Sequence, residues 1–207
     1  MKAYHKIPTM FKRNPETNFK TLIVNDYATE ELLYLAENRW VFTEKIDGTN
    51  IRVIYKDGKV EFRGKTDNSQ IPSKLYKVLS EKFTSDKMAK VFDGDVCLYG
   101  EGYGNGIQKG GCYIPDGMDF ILFDVRVDKW WLMFSVVQGI AQKLGIKSVP
   151  IRGGGGTLRD AFFQTQIGFR STLGEGMAEG IVMRPAVDLF DRAGNRIIAK
   201  IKHKDFK

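Results

Sequence analysis

The sequence has few of the residues that bind metals or form disulfide bonds. It contains two cysteines and two histidines among 207 residues. Cys97 and Cys112 form neither a metal-binding pattern nor a disulfide framework, and His5 and His203 form no ligand set. Reduced cysteines are typical of the cytoplasm, so the sequence predicts a cytoplasmic protein. These absences argue against a zinc centre and against a disulfide-rich secreted fold.

The sequence also lacks a long apolar run. A helix that crosses a bilayer needs about 18–20 consecutive apolar residues. The longest run, from Trp130 to Val137, is interrupted by Ser135. The first twenty residues lack the apolar core of a signal peptide. We therefore expect no association with a membrane.

Basic residues outnumber acidic ones, which gives a net charge of +7 and a pI of about 9.3. Lysine and arginine release counterions when they bind phosphates, so this balance favours a polyanionic partner such as a nucleic acid. Residues 196–207 carry five basic side chains against one acid, Asp205. A solvated terminus would show the same run, and both interpretations stay open at this point.

Strand and hairpin signals organise the middle of the chain. Residues 41–55 have the alternation of an extended segment, broken by the turn at Asp47-Gly48. Asp57-Gly58 predicts a hairpin, with residues 59–63 as its return strand. Hairpins with interspersed helices argue for an α+β fold with antiparallel sheets.

The boundaries of the other elements follow from weaker signals. We expect an irregular segment up to about Asn25, a helix capped by Ser73 that runs to Phe83, and a closing strand over residues 196–202. Because no linker is evident, residues 1–207 are expected to form a single domain. The chain ends five residues beyond Lys202, and we expect no OB-fold or other C-terminal domain in it.

Lys45 lies in the string Thr43-Glu44-Lys45-Ile46-Asp47-Gly48-Thr49-Asn50. A lysine amine is a nucleophile only when it is unprotonated, and nearby cations, desolvation or a bound metal favour that form. Lys-x-Asp-Gly alone also suits an ordinary β-turn. The interpretation as a nucleophile therefore depends on the strings that follow.

Five further strings follow in chain order. They are Phe62–Thr66, Leu98–Gly104, Phe120–Val125, Glu179–Arg184 and Ala199–Lys202. In this order the six strings resemble the RNA ligase 2 group of ATP-dependent polynucleotide ligases. That group belongs to the covalent nucleotidyltransferase superfamily, which also contains DNA ligases and mRNA capping enzymes. The resemblance covers the chain from Trp40 onward and implies a nucleotidyltransferase domain of antiparallel sheets and flanking helices around an ATP pocket.

The resemblance implies an enzyme that joins 5′-phosphate and 3′-hydroxyl ends of RNA. Lys45 would take AMP from ATP, the AMP would pass to the 5′-phosphate, and the 3′-hydroxyl would then displace it. ATP is the implied cosubstrate, and Mg²⁺, or else Mn²⁺, is the implied metal. RNA, as a nicked duplex or as strand ends, is the implied partner, with DNA as an alternative, and we expect a monomer.

Lys200 and Lys202 are the basic residues with the clearest role. Residues two apart in a strand share a face, so both side chains would enter one pocket. There they could neutralise the triphosphate and assist Lys45, which makes Lys45, Lys200 and Lys202 the catalytic set. An amphipathic edge strand would present the same two lysines to solvent.

The resemblance also implies a set of nucleotide-binding residues. Phe120 would stack on adenine and Glu44 would accept a hydrogen bond from its amine. The remaining residues would contact the ribose, the phosphates or the nick. They are Ile46, Asn50, Arg63, Glu101, Glu179, Lys200 and Lys202.

Glu179 and Asp47 are the implied metal ligands, because magnesium prefers oxygen ligands. Members of the RNA ligase 2 group often have histidine at the position of Asp47, whereas aspartate matches DNA ligases and capping enzymes. A small ATP-dependent DNA ligase and a GTP-dependent capping guanylyltransferase are therefore alternatives. A catalytically silent nucleic-acid-binding domain is a further one.

Overall fold

Antiparallel strand pairing dominates the computed structural model, which describes residues 3–206. Strands alternate with short helices, as the sequence predicted. In chain order the strands are β1 (Phe11–Arg13), β2 (Leu22–Tyr27), β3 (Trp40–Lys45), β4 (Thr49–Lys56), β5 (Lys59–Arg63), β6 (Val96–Gly104), β7 (Met118–Val127), β8 (Trp130–Trp131), β9 (Lys147–Ser148), β10 (Gly180–Pro185) and β11 (Ala199–Lys202). The α-helices are α1 (Glu30–Tyr34), α2 (Ser73–Lys82), α3 (Ser85–Ala89), α4 (Phe134–Leu144) and α5 (Leu158–Ile167).

The chain divides into two units. The first unit contains residues 3–5 and 47–149, and the second unit contains residues 6–46 and 150–206. Each unit has its own sheet and its own buried core. Within residues 3–206, no helix is both long and apolar enough to cross a bilayer.

The first unit contains a sheet with the strand order β5-β4-β6-β7-β8, and β9 pairs with β7 in parallel. The predicted hairpin between β4 and β5 is confirmed. Asp57 and Gly58 both have positive φ angles, of 49° and 73°, which is the conformation that tight hairpin turns require. This hairpin fixes the register of β4, the strand that follows the Asp47-Gly48 turn.

Helices α2 and α4 pack on β7 in the first unit. Helix α4 ends at Gly145, whose φ of 67° gives a left-handed cap. The prediction that Ser73 caps α2 is wrong, because Pro72 holds the cap position and no side chain caps the helix. The core beneath the helices is made of aliphatic and aromatic side chains, among them Ile51, Leu75, Leu79, Phe83, Leu98, Phe120, Leu122, Val137 and Ile140.

Gly100 allows the close packing between β6 and β7, and its replacement tests that packing. A Cβ atom at this position would lie 2.1 Å from Cζ of Phe120 and 2.5 Å from the carbonyl oxygen of Ile121. We expect Gly100→Ala to lower the free energy of unfolding in urea by about 1–3 kcal/mol. Gly139→Ala is the matched control in α4. A Cβ atom at position 139 would meet open space. The substitution should therefore raise the free energy of unfolding by about 0.5–1 kcal/mol.

The second unit is built on a sheet with the strand order β11-β10-β3. Helix α5 packs on β10 and β11, and it begins with a capping box formed by Thr157 and Asp160. Trp40 is fully buried and donates its indole N–H to the carbonyl oxygen of Leu35 at 2.9 Å. The core contains Met10, Phe11, Leu32, Trp40, Phe42, Leu158, Ala161, Ile181, Met183, Ala199 and Ile201.

Two sequence predictions about the second unit are wrong. The segment up to Asn25 is not irregular, because β1 and β2 form an antiparallel pair in which Phe11 lies opposite Tyr27. The closing strand begins at Ala199 rather than at Arg196. Arg196 lies before the strand and forms an isolated β-bridge with Phe190. Both errors concern segments whose extent depends on contacts distant in the chain.

Candidate active site

Lys45, Glu179 and Lys202 form one ion-paired cluster in the second unit. Gly180, the first residue of β10, lies opposite Lys45 of β3 on one side and opposite Lys202 of β11 on the other. A Cβ atom on Gly180 would lie 2.1 Å from the carbonyl oxygen of Ile201, so only glycine fits at this point of the central strand. The register therefore brings the two lysines to the same end of the sheet, beside the residue that precedes Gly180.

Glu179 binds both lysines at the same time. Its Oε2 accepts a hydrogen bond from Nζ of Lys45 at 2.6 Å, and its Oε1 lies 2.6 Å from Nζ of Lys202. The side chains are 19%, 10% and 19% exposed for Lys45, Glu179 and Lys202. Nζ of Lys45 also donates to the carbonyl oxygen of Ile46 at 3.4 Å, while the side chain of Ile46 is buried. One carboxylate thus separates two ammonium groups in a pocket that remains accessible.

Burial alone would raise the pKa of the Glu179 carboxyl. The positive charges and hydrogen bonds of Lys45 and Lys202 outweigh that effect, so its pKa lies below the ordinary value of 4.5. Glu179 is therefore ionised throughout the neutral range.

This lowered pKa gives a testable dependence of stability on pH. In the unfolded chain Glu179 binds its proton near pH 4.5, and in the folded protein it does so at lower pH. Its ion pairs therefore stabilise the fold above pH 4.5, and that contribution is lost as the pH falls through the folded-state pKa. We expect the difference in unfolding free energy between the wild type and Glu179→Gln to be constant near neutrality and to shrink below pH 4.5. A difference that does not change down to about pH 3 would contradict this assignment.

Lys200 occupies the position on β11 that the alternation predicted. Along this strand Ala199 and Ile201 are fully buried, whereas Lys200 and Lys202 are half-buried. Lys200 and Lys202 therefore share the face that leaves the core. Lys200 lies opposite Val182 of β10.

Glu44 points to the other face of β3 from Lys45, as adjacent strand residues do. Its carboxylate is 1% exposed and accepts hydrogen bonds from the hydroxyl of Ser171 and from both the N–H and the hydroxyl of Thr172, the last two at 3.0 Å. In this conformation Glu44 anchors the segment that leads to Glu179. The predicted contact with adenine stays a prediction.

Asn50, Glu101 and Asp47 lie in the first unit. Asn50 of β4 is directly opposite Glu101 of β6, and the side-chain oxygen of Asn50 is buried without a hydrogen-bond partner. The backbone N–H of Asp47 donates to the hydroxyl of Tyr113 at 3.1 Å. Gly48 is required beside them, because a Cβ atom would lie 2.3 Å from the carbonyl oxygen of Gly102. The structure thus pairs Asn50 with Glu101 and gives Asp47 a neighbour in Tyr113.

Arg63 and Phe120, also in the first unit, have other partners. Nε of Arg63 donates to the Glu61 carboxylate at 2.7 Å, and the Arg63 side chain is 38% exposed. Phe120 is fully buried and packs edge to face on Phe83, with ring centroids 5.3 Å apart. In this conformation the ring of Phe120 offers no face to a base, so its stacking role stays a prediction.

Sequence reasoning missed Ser171, Thr172 and Tyr113. Ser171 and Thr172 lie 127 and 128 residues from Glu44, and no local pattern connects them to it. Tyr113 follows a glycine-rich stretch in which Gly104 and Gly110 pack backbone against backbone. Those glycines were a signal for a tight loop, but they did not indicate which side chain the loop would present.

The two predicted metal ligands lie in different units, Asp47 in the first and Glu179 in the second. Residues 3–206 contain no group of three or more histidine, cysteine, aspartate or glutamate side chains that could hold a metal ion. Magnesium at phosphoryl-transfer sites is usually held by one or two carboxylates together with substrate phosphates and water. Both oxygens of Glu179 are bound by ammonium groups in this structure, and its role as a metal ligand stays a prediction.

Comparisons with known proteins identify relatives of the chain. Residues 38–202 match the family model described as RNA ligase. Solved structures of the Naegleria gruberi RNA ligase are similar to the chain. An apo mutant gives a TM-score of 0.69 at 16% identity over 99% of this chain and 59% of that chain. A mutant with ATP and Mn gives 0.68 at 17% identity over 97% and 58%. A structure with PPi gives 0.64 at 16% identity over 97% and 57%.

At these identities the likeness shows the fold, that of an RNA ligase nucleotidyltransferase domain with helices and antiparallel sheets. This chain spans less than three fifths of the length of those ligases. No curated protein matches it.

Proposed function

Since the chain belongs to the RNA ligase family, we propose that it is an ATP-dependent RNA ligase that works through a lysyl-AMP intermediate at Lys45. The observation that carries the proposal is the cluster in which Glu179 binds Lys45 and Lys202 at 2.6 Å each. The cluster places a partly accessible amine beside a second cation, which suits nucleotidyl transfer to lysine.

In the proposed first step, the unprotonated Nζ of Lys45 attacks the α-phosphorus of ATP. A phosphorus–nitrogen bond forms, the bond to the β-phosphate oxygen breaks, and pyrophosphate leaves. The ammonium of Lys202 balances negative charge that develops on the phosphates. Lys200, on the same face of β11, adds positive charge to that surface.

The later steps transfer the AMP to RNA. The adenylate passes from Lys45 to a 5′-phosphate end, and a 3′-hydroxyl end then attacks that phosphate and expels AMP. A bound Mg²⁺ or Mn²⁺ would supply Lewis acidity at phosphate oxygens. Glu179 and Asp47 are each proposed as metal ligands. Asn50, Arg63 and Glu101 are proposed to contact the nucleotide or the strand ends.

Properties of the relatives and of the chain support the choice of cosubstrate and partner. The Naegleria gruberi enzyme is described with ATP and Mn and is an RNA ligase. The net charge of +7 suits a polyanionic substrate. We further propose that the protein acts as one nucleotidyltransferase domain over residues 1–207, as a monomer and in the cytoplasm, where its two free cysteines would stay reduced.

A sealing assay tests the proposal. The protein is incubated with Mg²⁺, ATP and 5′-labelled RNA ends, and the adenylated strand and the joined strand are measured. We expect both products with ATP and neither with GTP, and faster sealing of nicked RNA than of nicked DNA. Preference for DNA would support a DNA ligase instead, and covalent transfer of GMP would support a capping enzyme. Absence of any covalent nucleotide transfer would contradict all three.

A further inference from the structure

The N-terminal segment completes the sheet that carries the catalytic lysines. Residues 8–10 run parallel to β11, with Thr9 bridged to Lys200. The N–H of Met10 donates to the carbonyl oxygen of Lys200 at 2.9 Å, and the N–H of Lys200 donates to the carbonyl oxygen of Pro8 at 3.0 Å. Strand β11 is therefore held on one side by β10 and on the other by the N-terminal segment.

Asp205 connects the same N-terminal region to Lys202. Its side chain is 1% exposed. Its Oδ2 accepts the backbone N–H of Lys202 at 3.1 Å, and its Oδ1 accepts Nη2 of Arg13 at 2.8 Å. Arg13 also donates to the carbonyl oxygens of Phe19 and Lys20 at 3.1 and 3.2 Å. A buried carboxylate thus holds the backbone of a proposed catalytic lysine and is itself held by the β1–β2 hairpin.

The burial of Asp205 distinguishes its pair with Arg13 from an ordinary surface ion pair. Lys12 and Asp26, on the same hairpin, are 2.8 Å apart but 56% and 43% exposed. Exposed ion pairs contribute little to stability. Removal of one partner from a buried hydrogen-bonded pair leaves an uncompensated charge and shifts the groups around it. A shift at Lys202 would move the ammonium that binds Glu179.

We propose that Asp205, held by Arg13 of β1, is a positioning residue for Lys202 at the nucleotidyl-transfer site. Arg13 and Asp205 both lie outside residues 38–202, the part of the chain that matches the family model. The role in catalysis rests on the proposed function, while the positioning of Lys202 is a property of the fold.

A double-mutant cycle tests whether Asp205 acts through Lys202. The rate of covalent AMP uptake is measured for Asp205→Ala in the wild-type and Lys202→Ala backgrounds. A misplaced group at a reacting centre costs up to about 100-fold in rate, so we expect a loss of about 10- to 100-fold in the wild-type background. In the Lys202→Ala background the same change should alter the rate by less than about twofold. Equal losses in both backgrounds, or no loss in either, would overturn the proposal.

Two variants support the interpretation of this cycle. Asp26→Ala removes the exposed pair on the same hairpin and should leave the rate at the wild-type level. Arg13→Gln removes the partner of Asp205 at a side chain that is 29% exposed. It should slow AMP uptake only when Lys202 is present. If Asp205→Ala does not fold, as judged by thermal unfolding, Arg13→Gln carries the same test.

A nucleotide-independent measurement separates this inference from the proposed function. Acetylation of individual lysines is followed by mass spectrometry, with Lys12 as an internal reference. Loss of the Asp205 anchor should loosen the ion pair of Lys202, and we expect its acetylation rate to rise at least about threefold in Arg13→Gln and Asp205→Ala. If the wild-type protein never takes up AMP, the proposed function is wrong. The acetylation rate of Lys202 would still show whether Asp205 positions that residue. Unchanged labelling of Lys202 in both variants would refute the positioning.

Discussion

Replacing Lys45 with alanine is expected to abolish the transfer of AMP from ATP to the protein, with a loss in rate of at least about ten-thousand-fold. The reason is that, in the proposed mechanism, Nζ of Lys45 forms the bond to phosphorus. Lys45→Arg should be equally inactive, because a guanidinium keeps the positive charge but stays protonated. The measurement is the label that remains on the denatured protein after incubation with Mg²⁺ and ATP labelled in its α-phosphate.

Lys12→Ala is the matched control for this experiment. Lys12 lies in the second unit, as Lys45 does, and its ion pair with Asp26 is exposed to solvent. Its loss should leave labelling at the wild-type level. If Lys45→Ala retained labelling near that level, a different residue would be the nucleophile and the assignment of Lys45 would be wrong.

Glu179→Gln is the change with the second largest expected effect. Its carboxylate is the shared partner of Lys45 and Lys202, so the amide would leave two ammonium groups close together without a counter-charge. We expect the free energy of unfolding at neutral pH to fall by about 3 kcal/mol. The rate of AMP uptake should fall by about 100- to 1000-fold, because the charges proposed to face the phosphates lose their arrangement. Urea unfolding and the labelling assay measure the two effects.

The Lys202→Met background separates the effect of Glu179→Gln on stability from its effect on catalysis. In that background Glu179→Gln removes one charge beside a single remaining ammonium, so the loss of stability should be smaller than in the wild type. AMP uptake should not recover, because Lys202 is itself part of the proposed catalytic set. Recovery of AMP uptake in the double variant would show that Glu179 only balances charge. Equal losses of stability in the two backgrounds would contradict the coupling between Glu179 and Lys202.

The sequence predicted the elements whose signals are local. Residues 41–55 show strand alternation on both sides of Asp47-Gly48, and the structure places β3 and β4 there. The Asp57-Gly58 hairpin follows from the positive φ angles that those two residue types tolerate. The alternation of Lys200 and Lys202 with buried Ala199 and Ile201 follows from the period of a strand. In each case the residues that determine the structure are within a few positions of one another.

Features that depend on distant partners could not be predicted in this way. The segment at residues 8–10 is extended beside β11 because Thr9 bridges to Lys200, about 190 residues further along the chain. Asp205 reaches Arg13 across 192 positions, and Glu44 reaches Ser171 across 127. The burial of Phe120 depends on Gly100 and Phe83, which lie on other elements. Propensity and periodicity carry no information about such pairs.

The intact mass of the wild-type protein after incubation with ATP and Mg²⁺, followed by mapping of the modified peptide, shows whether Lys45 carries an adenylate. We predict a gain of one adenylate per chain, attached to Lys45 through a bond that is stable in alkali and labile in acid. A mass that never changes, or an adenylate on any residue other than Lys45, would show that Lys45 is not the nucleophile.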